Sequence, residues 1–372
     1  MFSEILSFSD ARIKARLRNP TGIGPRNRYE RYASWVLNCP NSRFGDTPLP
    51  VPQITVVGSY ATGLTMRVER LPRMGETVLG KGYRVDYGGK GSNQAVGCAR
   101  LGARVSFVAR IGNDDFGKMA LGLYRDEGID VAHVRQIDLA PTGVGFILVD
   151  AASGNNCIAI DPGANGFLTA GDISQCEAAL DSSGVVLTQL EIPVEAAEAA
   201  LMRGRARGAL TILNPAPVRP LPSSVLQVVD ILTPNETEAK VLLGHSPDGP
   251  IEPETVAREL ICKGVKQVVM TLGEEGALIV TTSSSTHIPA IRVPAVDTTG
   301  AGDAFNAGLA VALACGTSLA AAVQFAVVTG GLAVIREGVI PSLPRREQVL
   351  QFYRQCDLTP PNWFSEESFS KN

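Results

Sequence analysis

The segment Val296-Asp297-Thr298-Thr299-Gly300-Ala301-Gly302-Asp303-Ala304-Phe305 joins the end of a strand region to a long apolar helix. Gly300 and Gly302 let the backbone turn without hindrance from a Cβ atom, which leaves successive N–H groups free at the helix N-terminus. Such a turn suits a phosphate or the charge on a phosphoryl group in transfer. Asp303 follows inside the first turn. From the residues alone it is either an ordinary first-turn aspartate or a carboxylate that accepts a proton from an attacking hydroxyl.

Two further loop-to-helix junctions carry polar residues. The first, Gly88-Gly89-Lys90-Gly91-Ser92-Asn93-Gln94-Ala95, can hold a polar ligand close to its backbone, or is a glycine loop capped at Ser92. The second, Thr233-Pro234-Asn235-Glu236-Thr237-Glu238, places Asn235 and Glu238 three residues apart. A helix capping box has the same spacing, so this pattern alone leaves both interpretations open.

Strand and helix patterns alternate along the chain and indicate its fold class. Short β-branched runs at 53–58, 105–109, 185–189 and 210–213 predict buried strands. Helical spacing predicts helices over residues 92–101, 193–207, 236–243, 254–263, 302–314 and 319–335. The alternation predicts an α/β fold with a mostly parallel central sheet flanked by helices, in which ligands bind at the carboxyl ends of the strands. Shorter alternating segments predict strands outside that sheet, at 77–85, 143–149 and 156–160.

Composition separates the chain into three parts. The 372 residues have a net charge of −3, yet residues 1–50 carry eight basic and four acidic side chains, which leaves −7 for the rest. We therefore predict a basic, disordered extension at 1–50, a folded domain at 51–357 and a polar tail at 358–372. The charge gives no reason to expect nucleic-acid or membrane partners. Seven scattered cysteines without a Cys-x-x-Cys pair favour a reduced, cytoplasmic protein.

Together and in this order, the segments resemble the ribokinase family of carbohydrate kinases, also called the PfkB family, over about residues 53–356. The two family signatures correspond to residues 88–95 and 297–309, and the Asn-x-x-Glu motif to Asn235 and Glu238. Shorter matches occur at 75–77 (Gly-Glu-Thr), 189–191 (Gln-Leu-Glu), 213–217 (Leu-Asn-Pro-Ala-Pro) and 271–273 (Thr-Leu-Gly).

The resemblance implies an ATP-dependent kinase of D-ribose or a related sugar or polyol, which acts on a primary hydroxyl. It implies a small β-sheet lid over the sugar, built from residues 75–87 and 142–161, that also forms a homodimer contact. Asp303 would be the general base, and the backbone of Gly300, Ala301 and Gly302 would stabilise the transferring phosphoryl group.

The resemblance also implies four groups of ligand-binding residues. Those on the sugar side, in addition to Asp303, are Gly89, Lys90, Asn93 and Glu191. Those on the nucleotide side are Asn235, Thr271, Gly273, Glu274 and Gly302. Magnesium would be held through water by Asn235 and Glu238. Potassium, a monovalent activator in this family, would be held by Asp297, Thr299, Ala333, Arg336, Gly338 and Ser342.

One departure from the family pattern concerns the sugar. The family's Gly-Ser-x-Asn-x-Asp, whose Asn and Asp hold sugar hydroxyls, corresponds here to Gly58-Ser59-Tyr60-Ala61-Thr62-Gly63. Ala61 and Gly63 thus replace both polar groups, which predicts weaker recognition of ribose itself. Val327 replaces a histidine on the adenine side, a milder change. The alternatives are a nucleoside or sugar-phosphate kinase of the same family and a catalytically silent sugar-binding regulatory protein.

Overall fold

A nine-stranded sheet forms the centre of the protein in a computed structural model that describes residues 51–365. In chain order the strands of the molecule are β1 (Gln53–Val57), β2 (Ala61–Val68), β3 (Gly80–Gly88), β4 (Arg104–Gly112), β5 (Asp130–Ile137), β6 (Gly143–Asp150), β7 (Asn156–Asp161), β8 (Val185–Thr188), β9 (Leu210–Leu213), β10 (Ile231–Leu232), β11 (Gln267–Thr271), β12 (Gly276–Val280) and β13 (Ser285–Pro289). The central sheet has the order β13-β12-β11-β10-β9-β8-β1-β4-β5. Its strands pair in parallel from β5 to β11, whereas β12 and β13 are antiparallel additions at one edge.

Helices cover both faces of this sheet, which explains why most residues of its inner strands are apolar and buried. The helices are α1 (Lys90–Arg100), α2 (Asp115–Asp126), α3 (Ala170–Ser174), α4 (Glu177–Asp181), α5 (Val194–Ala206), α6 (Ser223–Val228), α7 (Glu236–Leu242), α8 (Pro253–Cys262), α9 (Ala301–Ala314), α10 (Leu319–Ala333), α11 (Val339–Ser342) and α12 (Arg346–Gln355). On β1, Val56 belongs to the core cluster of α1, α9 and α10, while Val57 packs with α5 on the opposite face. The predicted α/β class with a mostly parallel sheet is confirmed.

A second sheet of four strands, in the order β3-β2-β6-β7, confirms the predicted small sheet. It differs in two details from the sequence prediction. The segment 61–68, for which no strand was predicted, forms its strand β2 and follows β1 after only three residues. Moreover, β3 begins at Gly80 and not at residue 77, because the preceding segment turns at Gly75, whose φ is 76°, and Glu76 accepts a hydrogen bond from the Arg73 backbone N–H.

The main elements lie close to their predicted positions, and each of the six predicted helices begins and ends within two residues of an observed helix. The strand β5 and the helix α2 are additional. As an edge strand, β5 has one neighbour and carries exposed polar residues, so its sequence lacks the apolar run of a central strand.

The predicted polar tail from residue 358 is wrong for its first part. Residues Asn362–Phe364 form a short 3₁₀ helix in which Phe364 is completely buried and Trp363 is 7% exposed. Both rings pack edge-on against Phe325 of α10, at centroid distances of 4.6 and 4.8 Å. Burial of two aromatic rings outweighs the polarity of their neighbours, so the folded domain extends beyond its predicted end at residue 357.

The predicted extension at 1–50 and the end of the tail, 366–372, lie outside the described residues. Within residues 51–365, no helix is long and apolar enough to cross a membrane. The six cysteines of this part of the chain are free thiols.

Candidate active site

The predicted phosphate-binding turn lies at the start of α9. Gly300 precedes the helix with a φ of 83°, and a Cβ atom there would lie 2.8 Å from Val339 Cγ1, so both backbone and space require glycine. At Gly302, by contrast, nothing in the described part of the chain, apart from the adjoining residues and backbone of its own helix, lies within 4 Å of the Cβ position. The first-turn N–H groups therefore border open space on the side of Gly302, where an anion can approach them.

Asp303 lies on the first turn of α9 and is 6% exposed. Its Oδ2 accepts a hydrogen bond from Asn93 Nδ2 at 2.8 Å, and its Oδ1 accepts one from Gln94 Nε2 at 2.9 Å, both from α1. Burial raises the pKa of Asp303, against the opposing effects of the Lys90 charge and of these two hydrogen bonds. A buried carboxylate of raised pKa, fixed by two amides, is suited to accept a proton.

The glycine loop before α1 approaches the main chain of the 58–61 segment. Gly89 has a φ of 87°, and a Cβ atom there would lie 2.7 Å from the Ala61 backbone nitrogen. The Lys90 backbone N–H donates to Glu191 Oε2 at 2.8 Å, and the Ser59 hydroxyl donates to the same oxygen. This places Glu191, beyond the carboxyl end of β8, against the loop that precedes α1.

Lys90 is the cation of this group. Its burial opposes ionisation, but the charges of Asp303, Glu191 and Glu238 together raise the pKa of its ammonium group. The ammonium therefore stays charged at neutral pH among three carboxylates.

Asn235 and Glu238 form a capping box at the start of α7. Asn235 Oδ1 accepts from the Glu238 N–H at 2.8 Å, and Glu238 Oε2 accepts from the Asn235 N–H at 2.9 Å. Asn235 also forms a β-bridge with Thr271 at the end of β11. The structural interpretation of the Asn-x-x-Glu spacing is thus correct, but it does not exhaust the site: burial raises the pKa of Glu238, and so does the nearby Asp303 charge. Because this environment disfavours the ionised form of Glu238, a bound cation would stabilise its carboxylate.

The loop before α9 is tied to the loop after α10. Asp297 Oδ1 accepts from the Thr299 N–H at 2.9 Å, and Asp297 Oδ2 accepts from the Gly338 N–H at 3.0 Å. Although burial opposes it, these hydrogen bonds lower the pKa of Asp297. An ionised carboxylate thus joins the two segments that carry the predicted potassium ligands.

The predicted residues therefore fall into two groups. Around Asp303, separate hydrogen bonds join Asn93 to Asp303, Lys90 to Glu191 and Asn235 to Glu238, whereas the second group is hydrogen-bonded to Asp297 itself. Ala333 and Ser342 are the last residues of α10 and α11, and Arg336 lies between these helices. Gly273 and Glu274 lie in the 3₁₀ turn Gly273–Glu275 after β11. Across the described part of the chain, no hydrogen bond joins Gly273, Glu274 or Arg336 to either group.

Three amide side chains for which no role was predicted form a hydrogen-bonded chain that ends at Asp303. Gln94, Gln189 and Asn214 are buried and hydrogen-bonded to one another. All three lie in the matched segments, and Gln189 and Asn214 each follow the carboxyl end of a strand, which was the available signal. Gln94 alone contacts the Asp303 carboxylate, and its contacts with Gln189 and Asn214 depend on how β8, β9 and α1 pack.

The departures Ala61 and Gly63 lie at the start of β2. Ala61 pairs with Gly88 on β3 and Gly143 on β6, and Gly63 pairs with Asp86 on β3. Ala61 and Gly63 provide no side-chain hydrogen-bonding group at these positions.

Comparison with known proteins identifies the class. Residues 51–346 match the model of the pfkB family carbohydrate kinases. A ribokinase of Haemophilus influenzae is 38% identical over 299 residues, which cover 80% of this chain and 97% of that protein. A deoxyribokinase of Salmonella typhi is 35% identical over 300 residues, covering 80% and 98%. The structure of Arabidopsis thaliana ribokinase complexed with ribose and ATP aligns with a TM-score of 0.75 and 33% identity, covering 81% of this chain and 98% of that one.

A mostly parallel sheet with a small second sheet, and a buried carboxylate beside an open helix N-terminus, define together with these matches a sugar kinase, a phosphotransferase with an alcohol acceptor. More particularly, the chain belongs to the PfkB family of carbohydrate kinases, and its matched relatives include ribokinases and a deoxyribokinase.

Proposed function

We propose that the protein transfers the γ-phosphoryl group of ATP to a primary hydroxyl of ribose, deoxyribose or a related sugar or polyol, with Asp303 as general base. The observation that carries this proposal is the position of Asp303: a buried carboxylate, fixed by two amides, in the first turn of a helix whose N-terminus borders open space. The Arabidopsis relative bound to ribose and ATP supports both ligands.

In this mechanism the hydroxyl oxygen attacks the γ-phosphorus, its proton passes to the carboxylate of Asp303, and the bond to ADP breaks. The N–H groups around Gly300, Ala301 and Gly302 stabilise the negative charge on the transferring group. Lys90 contributes a positive charge near Asp303, which favours the ionised form of the base. Asn93, with its Oδ1 buried and unpartnered among the described residues, is available to accept a hydrogen bond from the sugar.

The nucleotide residues are proposed as Asn235, Thr271, Gly273, Glu274 and Gly302. Asn235 and Glu238 would hold Mg²⁺ through water, since Glu238 keeps one carboxylate oxygen beyond its capping bond and is buried, which raises its pKa. Bound Mg²⁺ neutralises phosphate charge.

A potassium ion would lie behind the phosphate-binding turn, held by Asp297, Thr299, Ala333, Arg336, Gly338 and Ser342, mostly through backbone carbonyls. The ionised carboxylate of Asp297, linked to both segments, fits such a cation. Equal turnover in potassium chloride and in tetramethylammonium chloride would exclude potassium activation.

Recognition of the sugar is where this chain departs from its family. With Ala61 and Gly63, the start of β2 offers no side-chain hydrogen bond to a sugar hydroxyl. A binding site whose polar groups hydrogen-bond a hydroxyl rejects analogues that lack this hydroxyl. Because these polar groups are absent here, the site favours a substrate with fewer hydroxyls. Deoxyribose is therefore a leading candidate beside ribose, as the relationship to a deoxyribokinase also suggests.

The test is an ATP-consumption screen over pentoses, deoxypentoses, hexoses, polyols and nucleosides. We expect turnover of at least one sugar and none in the Asp303→Asn variant. The double variant Ala61→Asn/Gly63→Asp should improve kcat/KM for ribose relative to deoxyribose. No turnover with any acceptor, or full activity of Asp303→Asn, contradicts the proposed mechanism.

A sugar-phosphate acceptor is less well supported, because Arg84, a candidate phosphate ligand, already pairs with Asp86 and Glu337. A nucleoside acceptor is tested in the same screen. A silent sugar-binding protein would have no need of the fixed carboxylate at Asp303.

We also propose a homodimer in which the small sheets of two copies meet. This sheet exposes large apolar side chains, among them Tyr83 (62%), Phe146 (54%) and Ile160 (67%). Sedimentation should give a dimer that Phe146→Glu weakens. Free thiols throughout the described residues support a reducing, cytoplasmic location.

A further inference from the structure

A chain of buried amides leads from a backbone carbonyl to Asp303, and its hydrogen-bond directions are fixed at one end. The Thr233 carbonyl can only accept, so Asn214 Nδ2 donates to it at 3.0 Å and Asn214 Oδ1 faces Gln94. Gln94 Nε2 then donates to Asn214 Oδ1 at 3.2 Å and to Asp303 Oδ1 at 2.9 Å. Rotation of the Gln94 amide by 180° would place an acceptor against both oxygens.

The opposite side of Gln94 is fixed by Gln189. Gln189 Nε2 donates to Gln94 Oε1 at 2.5 Å, and Gln189 is completely buried. The Oε1 atom of Gln189 has no hydrogen-bond partner among the described residues. The Gln189 amide thus donates to Gln94 although its own oxygen is left without a hydrogen bond. Three neighbours therefore specify one orientation of the Gln94 amide.

We propose that Gln94 is a positioning residue for phosphoryl transfer: held by Asn214 and Gln189, it fixes the rotation of the Asp303 carboxylate so that an oxygen faces the acceptor hydroxyl. This inference rests on the proposed role of Asp303 as general base. Asn93 differs from Gln94, because Asn93 is placed on the sugar side whereas the amide of Gln94 is saturated by protein groups.

The charged groups near Asp303 come from three other elements. Lys90 begins α1, Glu191 follows β8, and Glu238 lies on α7. Lys90 favours the ionised carboxylate, whereas Glu191 disfavours it, and Glu238 and Asp303 repel each other. None of the three hydrogen-bonds to Asp303 in the described structure; its hydrogen bonds come from Asn93 and Gln94. Loss of the hydrogen bond from Gln94 should therefore raise the pKa of Asp303 further, because a hydrogen bond donated to a carboxylate stabilises its ionised form.

The first test is Gln94→Met, which keeps the side-chain volume and removes the donor. Using the sugar identified in the screen, we expect the acid limb of the kcat profile to move up by about one pH unit and kcat at neutral pH to fall about ten- to a hundredfold. The KM for ATP should stay within about twofold. Ser92→Ala, a buried polar change on the same helix away from Asp303, should leave the pH profile unchanged.

The second test needs no substrate. The ¹³C signal of the Asp303 side-chain carboxyl, identified by its loss in Asp303→Asn, is titrated in the wild type, in Gln94→Met and in Gln189→Glu. Because a glutamate at the completely buried position 189 can protonate and still donate to Gln94, Gln189→Glu serves as the conservative variant, and we expect a smaller upward shift than in Gln94→Met when the new carboxyl is protonated.

Unchanged titration in both variants, with wild-type melting temperatures, would overturn the role of Gln94. Failure of the proposed function would look different, since it would show as sugar turnover that is absent in the wild type or survives in Asp303→Asn.

Discussion

The buried residues around Asp303, called here the floor of the site, and the small sheet are held in opposite ways. In the floor, Asp303, Asn93 and Gln94 are buried and joined by hydrogen bonds with one possible orientation. In the small sheet, Arg67 and Arg84 pair with Glu337 at 3.0 and 3.1 Å, and all three side chains are about half exposed. Electrostatic interactions are strong and specific in a dry interior but weak at a hydrated surface.

This difference separates two requirements of phosphoryl transfer. The base must stay fixed to within a fraction of an ångström, which burial and saturated hydrogen bonds provide. In the proposed function the small sheet acts as a lid that closes over the sugar and releases the product, and ion pairs of about 0–1 kcal/mol each can break at little cost. Glu337 directly precedes Gly338, whose N–H donates a hydrogen bond to Asp297. The ion pairs of Glu337 are therefore connected through the chain to the loop before the phosphate-binding turn.

The largest expected effect lies in the floor. Asp303→Asn removes the proposed base without changing the shape of the side chain, and we expect kcat to fall by about 10²–10⁴. The matched change in the small sheet is Asp86→Asn, since Asp86 is an exposed carboxylate paired with Arg84. Steady-state kinetics of both variants check the comparison, and equal losses would mean that burial does not distinguish the two regions.

The next effect concerns space at the phosphate-binding turn. Gly302→Ala adds a methyl group where nothing in the described residues outside its own helix lies within 4 Å, so the melting temperature should stay the same or rise, while kcat falls at least tenfold because the phosphoryl group loses its approach.

Gly308→Ala is the control on the same helix. Its Cβ would lie 2.2 Å from Thr329 Oγ1, so this variant should lose stability instead. A fully active Gly302→Ala enzyme would place the phosphate elsewhere.

A smaller effect is expected in the small sheet. Glu337→Gln removes the charge that pairs with Arg67 and Arg84. We expect the KM for sugar to rise up to about fivefold, with kcat little changed, because exposed ion pairs are worth at most about 1 kcal/mol. The difference from wild type should shrink in 0.5 M salt, where such pairs are screened. A salt-independent loss of kcat would show that Glu337 acts on the floor.

The smallest effect is on stability. The pKa of Asp303 is raised in the folded protein, so its ionisation costs stability as pH rises through that pKa, and below the unfolded value of about 4 this cost is absent. Asp303→Asn should therefore melt a few degrees higher than wild type at pH 7, with a difference that declines toward pH 4. Calorimetry across this range checks the sign, and a lower melting temperature at pH 7 would contradict it.

The sequence anticipated the elements whose local pattern is strong. Helix α9 with Gly300 and Asp303, and the buried strands beside β1, carry long apolar runs or distinctive turn residues, and they lie where predicted. Strand β2 was missed because its residues 61–68 have mixed burial and find their register only against β3 and β6. The end of the domain was misplaced because Trp363 and Phe364 are buried by a distant helix.

The sequence by itself determined the α/β class, the family and the set of chemical groups, because glycine turns, apolar periods and motif spacing are local properties of the chain. Tertiary structure alone decided that Gln189 and Asn214 hold Gln94 against Asp303, and that Glu337 meets Arg67 and Arg84 across more than 250 residues. The physical reason is that hydrogen bonds and ion pairs depend on distances of about 3 Å, which packing sets and sequence separation does not reveal.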